Sequence, residues 1–495
     1  MRITTTILAA VVLGFTAHSM EVNRAMLGKA SHCLNNSPVE VKVNAANYCI
    51  VEKVDGAGFA VLKHCSDGSA RVVGYSPTGR WQEEDMPPAL LEWLEHIGNM
   101  PAVKPLTDNN SSRESVSPLL TCHWHQTSPY NDMAPVIEDG NIKTVAGCVA
   151  IAASQITYYW RNDNPPATLQ DTPIYPYGQA PVTMSIPAGS PNHWEAMLDD
   201  YNGVKDSLAR AAAAQLCYVV GTTSYLDYGS STGGQIHEAA IAILIQYDLL
   251  SDYISKSNVT QEQWDSLLYA EVANSRPVMC SGQGSGGHAF VLDGYDSETG
   301  LYHFNFGWGG VGDGYFAIDD SEEAMGGYYQ GQSVVYNIHP KTRNLHAEMT
   351  ATGVDDTGDE IKVRITITNG STLPVKKLAL HIVPPGEQWD KTAEPAWQSD
   401  EAIDNDGEPH KIKIVQASQG LENNTQFYLT DDSGALLATC TLDYSAVEDV
   451  KIDETDGKTV IYDLNGHEVK DPQPNTIYII KDGKSARKII INSSF

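Results

Sequence analysis

Cys148 and His288 are the side chains in this 495-residue sequence whose surroundings best suit nucleophilic chemistry. Cys148 opens the stretch Gly147-Cys148-Val149-Ala150-Ile151-Ala152-Ala153-Ser154-Gln155-Ile156-Thr157-Tyr158-Tyr159-Trp160. Val149, Ala152, Ala153 and Ile156 recur at helical spacing, and Asn162, Asn164, Pro165 and Pro166 end the run. A cysteine in a first helical turn meets unpaired N–H groups and the positive end of the helix dipole, which lower a thiol's pKa. Gly147 lets a substrate carbonyl approach the backbone closely. A lone cysteine is more often a small core hydrophobe, and what changes that reading is a partner 140 residues downstream. There Gly286-Gly287-His288-Ala289-Phe290-Val291-Leu292 delivers a histidine from a glycine-rich turn onto a short apolar strand. A third block, His303-Phe304-Asn305-Phe306-Gly307-Trp308-Gly309-Gly310, holds Asn305, an amide able to accept from an imidazole N–H. Trp308 can shield that bond from water.

These blocks resemble the streptopain family of papain-like cysteine proteases, secreted by streptococci and by Bacteroidetes such as Prevotella. The resemblance rests on Ala146-Gly147-Cys148-Val149-Ala150, Gly286-Gly287-His288-Ala289-Phe290-Val291 and Asn305-Phe306-Gly307-Trp308-Gly309-Gly310. A fourth piece is Gln126-Thr127-Ser128-Pro129-Tyr130-Asn131, and the likeness runs from about Val116 to Pro340. The Cys148–His288 separation falls in the roughly 130–150-residue window of papain-like enzymes. The resemblance implies Cys148 as nucleophile, His288 as general base and acid, and Asn305 as the orienting residue. Gln126 then completes an oxyanion hole with the Cys148 backbone N–H. It also implies substrate binding by Gly287, by Trp308, and by Gly233 and Gly234 in the loop Tyr228–Gly234, with an apolar side chain favoured in the second subsite. Phe306 stands where related sequences usually carry tryptophan, so an aromatic body is kept. No metal or cofactor is called for.

The elements that must position these residues give an α+β chain. Residues 1–19 read as a signal peptide: Arg2 supplies the positive start, Ile7 to Phe15 the apolar run, and Ala17-His18-Ser19 the small-residue end. The run is too short to span a bilayer and no later stretch is long enough, so the expectation is an exported protein without a transmembrane segment. Residues 20–112 read as a separate α+β pro-domain. Strands are predicted at Tyr48–Val54, Phe59–His64 and Ala70–Tyr75, and a helix from Pro87 to Ile97. The polar linker Asp108–Arg113 is the kind of segment proteases nick, and by resemblance this domain blocks the cleft as an intramolecular inhibitor. Residues 113–340 are expected to form the two-lobed papain-like domain. Its first half holds the Cys148 helix, Ser207–Val220 and Gly234–Tyr247; its second half is strands at 278–280, 288–292, 301–305, 315–318 and 334–338. The scissile bond would lie in the cleft between the lobes. The segment Gly326–Gly331 reads as a loop on the His288 side. Alternating residues over 341–445 suggest an Ig-like β-sandwich, and 446–495 a C-terminal β module resembling secretion tails.

The formal charge of −30, from 32 basic and 62 acidic residues, makes nucleic acid and anionic lipid poor partners. Eight cysteines show no CxxC spacing, which leaves zinc-ribbon and thioredoxin motifs unsupported. Gly282-Gln283-Gly284-Ser285-Gly286-Gly287 matches a dinucleotide pattern but is followed by a strand, not a helix, and its glycines better suit a peptide backbone running beside His288. Gly229-Ser230-Ser231-Thr232-Gly233 matches a serine-hydrolase pattern without the buried strand that would feed it. Cys122-His123-Trp124-His125 and the acidic turn Asp355–Glu360 lack metal-binding registers. The expected activity is therefore a cysteine endopeptidase (EC 3.4.22.-), made as a zymogen and acting on extended polypeptides. The rivals are an acyltransferase or hydrolase using the same residues on another amide, distinguished by a closed cleft, and a catalytically inactive papain-fold binding or adhesion protein.

Overall fold

Apolar alternation between Tyr48 and Tyr75 folds as three antiparallel strands, and the computed structural model places a helix and a further strand before them. Described are residues 22–79, 81, 88–102, 113–137, 142–163, 165–284, 286–318, 327–353, 360–390, 393–417, 421–422, 424–432, 434–443, 460–463, 466–470, 477–482 and 485–490. The expected leader, the linker residues 108–112 and the acidic turn at 355–359 lie outside them. The chain divides into two compact units, Met1–Thr342 and Arg343–Phe495.

In order, the first unit begins with α1 (Arg24–Cys33), β1 (Val39–Asn44), β2 (Tyr48–Lys53), β3 (Phe59–His64), β4 (Ala70–Ser76) and α2 (Pro88–Asn99). A short pair, β5 (Val136–Ile137) and β6 (Ile142–Lys143), precedes the helices α3 (Cys148–Tyr159), α4 (Ser207–Thr223) and α5 (Ile236–Tyr247). Then come β7 (Leu249–Ser255), α6 (Gln261–Ala273), β8 (Val278–Gln283), β9 (Gly287–Asp296), β10 (Leu301–Asn305), β11 (Gly314–Phe316) and β12 (Gln330–Pro340). Helix starts follow local chemistry. Asn23 accepts from the Ala25 and Met26 N–H groups, Asp206 from Ala209, and Thr260 with Gln263 forms a capping box on α6.

Ten strands make one sheet in the order β1-β2-β3-β4-β11-β10-β9-β8-β12-β7. The N-terminal segment, which the sequence presents as separate, thus continues the sheet that carries His288: Tyr75 pairs with Tyr315 and Gly74 with Phe316. It also shares a core. Trp93, Leu90, Leu94 and Ile97 of α2 cluster with Phe290, Phe304, Phe306 and Phe316. Trp93 meets Phe316 edge-on at 5.4 Å, an approach open only because Gly74 has no Cβ, which would lie 2.9 Å from the Phe316 ring. Burial of each large apolar side chain on α2 contributes roughly 1.5–3 kcal/mol. Two polar ties at its last turn, Lys63 Nζ to Ile97 O (2.7 Å) and Asn47 Nδ2 to Gly98 O (2.8 Å), contribute about 1 kcal/mol each and set its register.

In the second unit, β13 (Leu345–Gly353), β14 (Glu360–Asn369), β15 (Ala379–Val383), β16 (Trp397–Gln398), β17 (Pro409–Ala417), β18 (Gln426–Thr430) and β19 (Leu436–Asp443) lie in the order β16-β15-β18-β19-β13-β14-β17. Alternate residues Ile361, Val363, Ile365 and Ile367 face a core with Leu380, Phe427 and Leu429. A separate antiparallel meander follows: β20 (Val460–Tyr462), β21 (Ile477–Asp482) and β22 (Ser485–Ile490). Among the described residues no helix is long and apolar enough to cross a membrane. All eight cysteines are free thiols.

Candidate active site

Cys148 is the first residue of α3, and the N-cap, Gly147, offers no side chain to cap it. Gly147 has φ +92°, and a Cβ there would come within 2.8 Å of the Thr232 methyl, so the Tyr228–Gly234 loop lies directly against the start of the helix. Thr232 Oγ1 fastens that loop by donating to Val145 O at 2.7 Å. The backbone N–H groups of Ala289 on β9, of Val149 and of Cys148 itself act to lower the thiol's pKa. Burial nevertheless raises the Cys148 pKa, and these N–H contributions only offset part of that effect. The lowered value expected from the helix terminus alone is therefore corrected. Desolvation disfavours the thiolate more than the helix end favours it in this form.

His288, at the start of β9, brings its imidazole Nε2 within 2.9 Å of Phe306 O. A carbonyl only accepts, so Nε2 carries the proton and Nδ1 keeps its lone pair. The ring lies against Trp308 (centroids 4.5 Å apart, 17° between planes) and is crowded by Phe290 and by Tyr328 at 5.1 Å. Burial among these rings lowers its pKa to about 4, against a smaller raising contribution from the Phe306 carbonyl.

Asn305 is not the imidazole's partner, which corrects the sequence expectation. Its Oδ1 accepts from Gln155 Nε2 and from the Gly307 N–H, both at 3.1 Å, and its Nδ2 donates to Cys122 O at 2.9 Å. The buried end of β10 contains these polar groups, and Asn305 satisfies all three. The orienting acceptor is instead the backbone of the next residue, so the Phe-for-Trp exchange at 306 leaves the contact to His288 chemically unchanged. Gln126 is tied to the segment just before the nucleophile, its backbone carbonyl accepting from the Ala146 N–H at 2.9 Å. Gly287 and Gly233 are exposed, with open space where a Cβ would stand. Gly234 is instead confined by Leu226, 2.1 Å from its would-be Cβ. Trp308 borders a polar cavity of roughly 480 Å³ whose wall includes His125, Tyr130, Asp200 and Arg210.

The peptidase C10 family model matches residues 124–316, a span that contains Gln126, Cys148, Gly233, Gly234, Gly287, His288, Asn305 and Trp308. Streptopain of Streptococcus pyogenes is 28% identical over 333 residues, covering 59% of this chain and 80% of that protein. A prointerpain A fragment of Prevotella intermedia, a cysteine-to-alanine mutant, superposes with TM-score 0.51 at 26% identity, covering 61% of this chain and 99% of that one. The chain belongs to the streptopain, or peptidase C10, family of cysteine proteases. The thiol protease/hemagglutinin PrtT of Porphyromonas gingivalis is 27% identical over 329 residues, 60% of this chain and 37% of that protein.

Two further residues of this C10 protease shape the site without having been singled out in the sequence. Gln155, two turns after Cys148, is fully buried and bonds Asn305, the Trp124 N–H (3.3 Å) and the Cys122 thiol (3.7 Å). Its signal was available: a glutamine within an apolar helix needs buried partners. Tyr328 follows Gly327 and covers His288. The glycines of the apparent dinucleotide motif make room for this segment, since a Cβ on Gly282 would meet Tyr328 O at 2.2 Å and one on Gly284 would meet Gly327 O at 2.5 Å.

Proposed function

We propose that this chain is a secreted cysteine endopeptidase made as an inactive precursor. The observation that carries the reading is the His288–Phe306 contact: with Nε2–H held by Phe306 O, Nδ1 is left as the base, and the N–H of the next residue, Ala289, acts to lower the Cys148 pKa. Once solvent and substrate reach the site, Nδ1 takes the thiol proton and the thiolate attacks the peptide carbonyl. The Cys148 N–H and the Gln126 amide hold the oxyanion, and His288 protonates the leaving amine. Water then hydrolyses the thioester. Asn305 serves by fixing the end of β10. Gly287, the Gly233–Gly234 loop and Trp308 line the path of an extended polypeptide.

The N-terminal segment, residues 20–112, acts as an intramolecular inhibitor in this reading. Its helix α2 places His96 against Tyr329 (ring centroids 5.6 Å apart), and the Tyr328 pKa is raised by burial first, then by Cys148, with a smaller contribution from Glu92 of α2. This supports a closed form in which α2 presses the 327–329 segment onto His288. Domains at 113–340, 341–445 and 446–495 complete the proposed organisation, and export rests on the leader pattern of residues 1–19.

The test compares the precursor from residue 20 onward with its Cys148→Ala variant, following intact mass over time. Loss of the first hundred or so residues from the wild type alone supports the reading. Should both stay whole, and the wild type treated with an outside protease still leave an unfolded protein uncut, the inactive binding protein takes its place.

A further inference from the structure

The turn from β10 to β11, which follows the contact to the base, is built largely on glycine. Gly307, Gly309, Gly310 and Gly312 all hold left-handed φ between +68° and +84°, conformations that glycine adopts without a steric penalty but also leaves easily. One side chain closes this turn at its base. Asp313 Oδ1 accepts from the Phe306 N–H at 2.8 Å, and the carbonyl of Phe306 takes the His288 Nε2–H at 2.9 Å. Asp313 is only 7% exposed, and its other oxygen, Oδ2, has no hydrogen-bond partner, with His123 Nδ1 3.6 Å away. A buried carboxylate whose second oxygen has only a long ion pair to His123 is costly to keep, and its one short bond goes to the residue that orients the base.

We propose that Asp313 is a positioning residue for His288: its carboxylate fixes the Phe306 peptide, and that peptide fixes the imidazole. The inference rests on the proposed Cys148/His288 chemistry. A turn without this brace lets the Phe306 carbonyl rotate away, so the imidazole, and Nδ1 with it, is no longer held in one direction. A misplacement of about 1 Å at a reacting group can cost about 100-fold in rate.

The experiment uses full-length protein carrying Asp313→Asn or Asp313→Glu, matured with an outside protease and normalised to alkylatable Cys148. It reads kcat and KM on an unfolded protein substrate. It also reads the pH profile of Cys148 alkylation by iodoacetamide, followed by peptide mass. The Asn variant loses the charge but keeps an oxygen in place to accept from Phe306, so kcat stays within about threefold of wild type. The Glu variant keeps the charge but displaces the oxygen by a methylene. Its kcat falls about tenfold or more at unchanged KM, and the acid limb of alkylation, present in the wild type, weakens. If Asp313 matters only as a charged partner of His123, the order reverses. That reversal overturns the proposal, as do two wild-type-like variants or two equally impaired ones. Asp313→Ala, which removes the brace without added bulk, stands in should the Glu variant not fold. A wild type with no acid limb overturns the Cys148/His288 pair itself and this proposal with it, whereas a normal wild type with the wrong variant order overturns only the role of Asp313.

Discussion

His288 is held neutral by its aromatic surroundings, and that has a consequence for the stability of the precursor. Its folded pKa of about 4 lies below the 6.5 of an unperturbed histidine. Between those values the unfolded chain binds the proton and the folded chain does not. Stability therefore rises with pH across this window and falls on acidification from about 6.5 toward about 4, by up to roughly 3 kcal/mol, with no further change from this group outside it. In an inactive Cys148→Ala background, the precursor with His288 should lose more of its urea midpoint between pH 7 and pH 4.5 than one carrying His288→Phe. An equal loss would remove His288 from the acid response. The thiol is shifted the other way: burial raises Cys148, so in this form the thiol and the imidazole are both held neutral.

At the scale of elements, the site is the joint between α3 and the end of β10, and Gln155 is the tie between them. Replacing it with the similarly sized Gln155→Leu leaves the Trp124 N–H without its partner and removes one of the two bonds to Asn305 Oδ1. An unsatisfied buried group costs about 1–3 kcal/mol, so the expected loss is roughly 2–4 kcal/mol, measurable by urea unfolding of the precursor. A loss under about 0.5 kcal/mol would mean that water or rearrangement replaces those bonds. Element positions were largely legible: Phe59–His64 and Leu301–Asn305 form over the predicted residues, and α3 starts at Cys148 as expected. Less legible were α1, whose buried side chains are only Met26 and Ala30, and α6, where Trp264, Leu268 and Val272 recur four apart amid other apolar residues.

On the scale of the molecule, the first unit completes its sheet and its cores within residues 1–342, and the second has a core of its own. A fragment of residues 20–342 with Cys148→Ala is therefore expected to melt within about 2 °C of the corresponding transition in the full chain, since distant, independently packed parts act additively. A drop of 10 °C or more in scanning calorimetry would mean that the second unit supports the first. The continuous sheet also says what the proposed removal of the N-terminal segment would expose. Loss of β4 leaves the three-residue β11 as a sheet edge, and short edges are the kind that resist unwanted pairing.

The sequence by itself carried the local patterns: a cysteine opening an apolar helix, a histidine after glycines on a strand, and a glycine-rich turn between two strands, each with a local physical cause. It also carried the family, because those patterns are specific in combination. Only the tertiary structure decided how the residues are used. That the Phe306 backbone rather than the Asn305 amide holds the imidazole was invisible, because every residue carries the same carbonyl and only the fold aims it. The rise in the Cys148 pKa and the fall in that of His288 were equally hidden. Desolvation belongs to the neighbours, and those around His288 come from β9, from Phe306 and Trp308 after β10, and from Tyr328, brought together from separate parts of the chain.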